Sequence, residues 1–537
     1  MLATSIFSRI RTAARHFAGA DGGNVAMIFG IAAVPLISFV GAAIDYSRAN
    51  AARSSMQAAL DSTALMVAKD LTEGTINASQ INAKAQSYFT ALYTSTDAKS
   101  VSVSATYTAA SGSTPSTIQV NGSGSVATDF MRVAGFPNLN FGTSSTSTWG
   151  TSRMRVALAL DNTGSMNSDG KIAALRTAAS SLVDQLSALA KTNGDVYISL
   201  VPFAKDVNAN STNVSANWID WTDWEAEAPD LVGSSKKPWN WSSIGPGSNC
   251  PWTMQNNGFT CVDGPGSTTA VSTIPNSGTN KGRICPGPDP TSRYGYQYHY
   301  LINGCYNSVQ SGSSYTHTWI PNPHSMWSGC ATDRTQPYDA QSTTPTTSNV
   351  PTLFPAEQYY ENSESYCAAG NTPLLQPIIP LTYDWSGLKT SINAMQPTGG
   401  TNQPIGLAWA WQTLLHADPF NAPAEETAYN YKKAIILLSD GLNTENRWPS
   451  NGDGSQQFNG LIDARQKVMC DNIKAQGITI YTVQVNTGTG RNADPTSTVL
   501  QYCASGSDKF YLVTTADQTL TVFNSIGTSL SKLRVSR

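Results

Sequence analysis

Residues 156–160, Val-Ala-Leu-Ala-Leu, form an unbroken apolar run that stops abruptly at Asp161. A run that short, almost without charge, is the pattern of a strand buried on both faces. From Ile172 onward apolar residues return at helical spacing, through Leu175, Ala179, Leu182 and Leu186. Asp161, Thr163 and Ser165 therefore occupy alternate positions in a loop that leaves the C-terminal end of a central strand. In open α/β sheets that is where ligands bind.

Two later stretches add to this loop. Thr401 ends a glycine-rich segment, Thr398-Gly399-Gly400-Thr401, that precedes a helical run over 405–415. Asp440 closes the apolar strand 434–438 in the sequence AIILLSDG. Two carboxylates and three hydroxyls are hard oxygen donors, which suit Mg²⁺ or a similar divalent cation such as Mn²⁺. Three neutral ligands leave such an ion much of its charge, so an open position would attract a carboxylate from a partner protein. The bland alternative is a vestigial site whose hydroxyls only cap the loop and helix.

The order D-x-T-x-S, then G-G-T, then S-D-G resembles the von Willebrand factor A domain with its metal-ion-dependent adhesion site. That family usually has Ser where this chain has Thr163, and a threonine hydroxyl can replace it. The resemblance implies metal contact by Thr163, Ser165 and, in some states, Thr401. Asp161 and Asp440 would contact the metal directly or through water.

Around these stretches, strands and helices alternate. Strands are expected at 196–203, 378–381, 478–485 and 510–514, and helices at 461–475, near Cys503 and at 520–533, with 388–395 leading into the Thr401 loop. The fold class expected is α/β, a doubly wound, largely parallel sheet of the von Willebrand factor A, Rossmann-like type, over 151–537. It is interrupted at about 205–375 by a long irregular insertion without sustained periodicity, far too long for an ordinary loop. The insertion leaves after the second strand and returns before the Thr401 loop, so it could shape what reaches the metal. It is rich in rings: Trp218, Trp221, Trp224, Trp239, Trp241 and Trp252, then Tyr294, Tyr296, Tyr298 and Tyr300 alternating as on one face of a strand. These rings would either bind sugars or proteins, or form the core of a segment pinned by disulfides.

The 537-residue chain has eight cysteines, none before Cys250. Cys250, Cys261, Cys285, Cys305, Cys330 and Cys367 lie in the insertion, and Cys470 and Cys503 follow near the end. An even number in a loop-rich segment reads as disulfides in an oxidising compartment. Eight cysteines allow about 105 full pairings, so the sequence leaves the connectivity open, and the pairing expected is of neighbours in the insertion with Cys470 joined to Cys503. Zinc fits poorly, because the six lack C-x-x-C spacing and have few nearby histidines. Charged residues are only 13% of the chain and the net charge is −3, with no basic block that would bind nucleic acid.

The cysteine-free N-terminal part opens with Arg9, Arg11 and Arg15 in a cytoplasmic segment, 1–23. Residues 24–44 carry no charge and can cross a bilayer, Pro35 included. Arginines before the span put the N-terminus in the cytoplasm and the main body in the periplasm or outside the cell. A cleaved signal peptide is the alternative. Beyond Asp45 the sequence predicts one long helix with Ala49, Ala52, Met56, Ala59, Leu60, Thr63 and Ala64 on its packed face. Residues 23–65 resemble the N-terminal segment of TadG-type proteins of the tight-adherence (Flp) pilus system. Gly23 before the apolar stretch is similar to a prepilin cleavage site, although the early acid of pilins is missing. The rest of 45–150 reads as a small α+β region, with a helix at 81–92 and strands around Val101–Tyr107, Ile118–Gly122 and 139–149.

These readings give three functions. The first is a non-enzymatic, inner-membrane-anchored assembly factor or minor component of an adhesive pilus, holding an acidic partner residue through its metal. The second is a surface adhesin for host or abiotic surfaces. The third, a metal-dependent hydrolase, lacks any recognisable general base or nucleophile elbow. The segment Asn451-Gly452-Asp453-Gly454 reads as a turn, since it lacks the ligand spacing of an EF-hand.

Overall fold

The computed structural model describes residues 22–109, 115–149, 152–227, 237–252, 259–267, 269–288, 304–357, 375–427, 429–448, 450–487 and 494–535. The chain divides into two compact units, one of residues 1–151 with 535–537 and one of residues 152–534.

The first unit is built on a single helix, α1 (Gly22–Thr72), which runs through Pro35. Its part from Ile28 onward is long and apolar enough to cross a membrane. All seven small or apolar positions expected on its packed face, Ala49 to Ala64, are buried. They meet a second helix, α2 (Ile81–Leu92), and a three-stranded antiparallel sheet of β1 (Ala98–Thr108), β2 (Ser116–Ala127) and β3 (Asn138–Trp149). Residues of β2 alternate between buried and solvated, as in a sheet covered on one face. Ile118 and Val120 pack there with Met56, Leu60 and Phe89.

The second unit carries an eight-stranded sheet. Its centre is β4 (Ser152–Asp161), flanked in parallel by β5 (Val196–Phe203) and by β9 (Asn430–Ser439). The sheet continues in parallel from β9 to β10 (Thr479–Val485) and β11 (Phe510–Val513). On the other side three antiparallel strands close the edge. The two-residue strands β6 (Val207–Asn208) and β7 (Cys330–Ala331) pair with each other, and β8 (Ile379–Thr382) pairs with β5.

The unbroken apolar run is explained by the two faces. Val156, Leu158 and Leu160 pack with α3 (Lys171–Ser187), α4 (Trp385–Ala394) and α8 (Gln518–Val535). Ala157 and Ala159 face α5 (Gln403–Thr413), α6 (Leu461–Ala475) and α7 (Thr498–Cys503). Helices on both faces of a mainly parallel sheet make this the expected doubly wound α/β fold. The strand order reverses at β4, whose two neighbours are β5 on one side and β9 on the other, so its C-terminal end is the topological switch point.

The insertion is more regular than its sequence suggests. Five short strands, Phe259–Val262, Ala270–Val271, Arg283–Pro288, Gly304–Ser311 and Ser314–Pro321, form their own sheet. Short strands rich in Cys, Gly, Pro and Ser carry little alternation, which hides them from a periodicity reading. The structure pairs Cys250 with Cys261, Cys285 with Cys305, and Cys470 with Cys503. Cys330 is also disulfide-bonded, while Cys367 and the tyrosine run 294–300 lie outside the described residues. The tryptophans act mostly as core. Trp218 and Trp224 are buried among sheet and α5 residues, and Trp252 packs with Ile284 and Tyr306 in the insertion's own core. Trp239 is fully solvated. Asp453 accepts hydrogen bonds from the Ser455 and Gln456 backbone N–H groups (3.0 and 3.1 Å), which is turn chemistry.

Candidate metal site

Asp161 and Ser439 end adjacent parallel strands, and Asp440 follows Ser439 directly. The Ser439 hydroxyl donates to Asp161 Oδ2 (2.6 Å) and the Thr163 N–H donates to Asp161 Oδ1 (2.8 Å), fixing that carboxylate in place. Ser165 Oγ donates to Asp440 Oδ1 at 2.7 Å and lies 3.1 Å from Thr163 Oγ1. Asp161, Thr163 and Asp440 are buried, while Ser165 is exposed at the rim.

The third loop is fastened by backbone contacts. Gly164 N–H donates to the Gly399 carbonyl and Thr398 N–H to the Asn162 carbonyl, both at 2.8 Å. Gly399 has φ of +79°, a left-handed conformation that glycine adopts without strain. Thr401 is buried, and its N–H donates to Thr444 Oγ1 (2.8 Å) while its carbonyl accepts from Thr444 N–H (2.9 Å). The three loops named from the sequence thus meet at one end of the sheet. Asp161, Thr163, Ser165 and Asp440 join in one chain of side-chain contacts, and Thr401 is brought in through its backbone.

The electrostatics of this cluster are unbalanced. Burial and the facing Asp440 push the Asp161 carboxyl well above the usual carboxylate range, against the bonds from Ser439 and Thr163 that favour its charged form. Among the described residues one cation is paired with these carboxylates: Lys171 Nζ lies 2.8 Å from Asp440 Oδ2. Asp494 is also raised, chiefly by burial and then by Asp440. Two carboxylates and one ammonium, surrounded by hydroxyl oxygens, leave a deficit of positive charge. A divalent cation fits that deficit, and the donors present are all hard oxygens. Among the described residues no group of three or more His, Cys, Asp or Glu side chains is placed to hold a metal, so any site here depends on its hydroxyls.

Sequence reasoning missed Lys171, Ser439, Thr444 and Asn402. Lys171 offered a signal, because a cation in the first turn of a helix opposes the helix dipole and implies a specific anionic partner. Asn402 follows Thr401 and caps α5, and it also ties the site to the insertion. Its Nδ2 donates to the Lys205 carbonyl (3.0 Å) and to Asp333 Oδ2 (2.8 Å). The Arg447 N–H donates to the same Asp333 oxygen at 3.1 Å.

Burial, with the charges of Asp339 and Asp206 adding to it, pushes the Asp333 carboxyl up to about 6. A carboxyl whose folded pKa exceeds its unfolded value stabilises the fold below the unfolded pKa, and that contribution is lost as pH rises through the folded one. Asp333 should therefore cost about 3 kcal/mol of stability between about pH 4 and pH 7. Urea denaturation of the detergent-solubilised chain at a series of pH values, followed by tryptophan fluorescence, should show this loss in the wild type. It should be smaller by about that amount in Asp333→Asn. Equal pH slopes in the two proteins would refute the assignment.

Residues 23–70 match the Flp pilus-assembly TadE/G-like family. No curated protein matches the chain. Among solved structures, the pilus adhesin SpaC from Lactobacillus rhamnosus GG is 11% identical, with a TM-score of 0.31, over 80% of this chain and 35% of its own. The vWF domain of the type V pili tip protein Mfa5 from Porphyromonas gingivalis is 11% identical, with a TM-score of 0.30, over 72% of this chain and 98% of its own. Proximal thread matrix protein 1 from the mussel byssus is 11% identical, with a TM-score of 0.27, over 72% of this chain and 47% of its own. The chain thus spans less than half the length of the mussel protein and about a third of SpaC.

Proposed function

We propose that this chain is a membrane-anchored assembly factor or minor component of a Flp-type pilus and that it is not an enzyme. On this reading the second unit is a von Willebrand factor A domain. Asp161, Thr163, Ser165, Thr401 and Asp440 would hold a divalent cation, Mg²⁺ or Mn²⁺, and the bound ion would supply positive charge for an acidic residue of a partner subunit. One helix would anchor the chain in the bacterial inner membrane, with the N-terminus cytoplasmic and the main body periplasmic or extracellular.

The observation that carries the reading is the meeting of two carboxylates and the Thr163 and Ser165 hydroxyls at the sheet's switch point, with the Asp161 carboxyl raised by burial and by the facing Asp440. The TadE/G-like match over 23–70 supports the pilus context. Ser165 at the rim gives a partner carboxylate a side from which to approach.

The test is capture of pilus-system proteins by the solubilised chain in Mg²⁺ and in chelator. Capture in Mg²⁺ that is lost in chelator is expected. Capture indifferent to the metal would overturn the metal-bridged contact. Deletion of the gene should abolish pili. Intact pili with lost attachment would instead make the chain an adhesin.

A further inference from the structure

The connection between β2 and β3 is apolar where a solvated turn would be polar. It contains the 3₁₀ turn Met131–Ala134 and carries Phe130, Val133 and Phe136, which are 44%, 90% and 57% exposed. Three large apolar side chains on seven residues of one turn are more than scattered surface hydrophobics require.

The place of this turn in the first unit suggests what covers it. Phe130 lies against α1 at Gly41, where a β-carbon would collide with its ring. The groove there is lined by Leu36, Ile37, Val40, Gly41, Ile44 and Phe130, so its other walls are the last apolar turns of the helix. Asp45, one turn further along, is fully buried, and its carboxylate accepts the N–H groups of Asp129, Phe130 and Met131 at 3.0, 2.9 and 2.8 Å. Those three bonds satisfy an acid that would otherwise need water beside the apolar turn. Beyond it Arg48 pairs with Asp129 (2.7 Å) and Asp97 (3.6 Å), a polar belt where the apolar surface ends. At about 1.5 Å of rise per residue, Gly41 stands about 6 Å nearer the middle of the span than Asp45.

We propose that the 130–136 turn enters the outer interface of the bilayer that α1 crosses. It would act as a second membrane contact that sets the depth at which the helix emerges. The proposal rests on the reading of α1 as a membrane span and adds a lipid-facing surface on the sheet. The exposed apolar face of the helix continues directly into Phe130, whose turn also exposes Val133 and Phe136, and interfacial segments bury their apolar side by about 5–10 Å. Arg132, the one charge of the turn, has a side chain long enough to reach lipid phosphate while its stem stays in apolar surroundings.

The experiment places a nitroxide label on the full chain in vesicles of phosphatidylethanolamine and phosphatidylglycerol. Three variants are compared: Val133→Cys in the turn, Phe39→Cys in the span, and Thr108→Cys at the opposite end of the sheet. All three positions are exposed, so the labels should not disturb folding. Labels at 133 and 39 should be reached by oxygen severalfold more readily than by a water-soluble nickel chelate, and the label at 108 should show the reverse. If 39 lies in lipid and 133 in water, the turn proposal fails and the span stands. If 39 lies in water, the span reading fails and takes the turn with it. A label at 133 shielded from both reagents would mean a protein cover, which also overturns the proposal.

Discussion

Asp161→Ala is expected to abolish the thermal stabilisation of the second unit that the proposed metal site predicts for Mg²⁺ or Mn²⁺. Any ligand that binds only the folded state stabilises it by about 2.7 kcal/mol at a hundredfold excess over its dissociation constant. For a domain of a few hundred residues that is a rise of about 5–10 °C in melting temperature. Asp161 is the carboxylate most deeply held in the cluster, gripped by Ser439 and the Thr163 backbone and raised by its neighbour Asp440. Alanine removes one of two formal charges, so the rise should vanish, while the metal-free protein loses little or gains stability because one of two facing buried carboxylates has gone. Lys171→Met should act in the opposite direction. The ammonium at 2.8 Å from Asp440 would compete with a cation for the same carboxylate. At an effective dielectric of about 20 such a neighbour is worth several kcal/mol, so metal affinity should rise at least about tenfold. The same change should destabilise the metal-free form by about 3–5 kcal/mol, because it leaves the buried Asp440 carboxylate without its charged partner. Calorimetric titration with each metal, beside melting curves, checks both arms. A wild-type melting temperature indifferent to divalent cations, or an Asp161→Ala protein that responds as the wild type does, would remove the metal from the account.

What the sequence disclosed and what it hid follow from the range of the interactions. The alternation of Val156, Leu158 and Leu160 with Ala157 and Ala159 is local, and so is the helical spacing of Ile172 to Leu186. Both are legible because each residue's environment repeats along its own element. That the loops carrying Asp161, Thr163, Ser165, Thr401 and Asp440 leave one end of the sheet was legible, because strand ends and glycine-rich loops mark where side chains leave the core. Their supports were not. Ser439 meets Asp161, Lys171 meets Asp440 and Asp333 meets Asn402 across separations of 278, 269 and 69 residues, and no period encodes such pairings. The insertion was hidden for a different reason. Strands of two residues, such as Val207–Asn208 and Cys330–Ala331, are too short to alternate, yet they extend the central sheet.

Trp409→Ala is expected to cost about 3–5 kcal/mol, the range for truncating a buried aromatic. Trp409 lies on α5 and is 1% exposed. Its ring centroid stands 4.4 Å from Phe354 and 6.0 Å from Trp218, both in the insertion, and 5.6 Å from Phe420. The insertion therefore shares the core of the α/β unit through these rings, and the cavity left by alanine would open in both at once. A cycle of Trp409→Leu, Phe354→Leu and the double variant should return a coupling of about 0.5–1.5 kcal/mol, as for other aromatic pairs. Helix α5 starts two residues after Thr401, and its cap Asn402 is bound to Asp333 of the insertion. A loosened α5 should consequently weaken divalent-cation binding as well as the fold, which ties the aromatic seam to the site. Urea unfolding followed by far-ultraviolet circular dichroism measures the first effect and calorimetric titration the second. A loss below about 1 kcal/mol, or an insertion that melts separately from the sheet, would show that the rings do not couple the two.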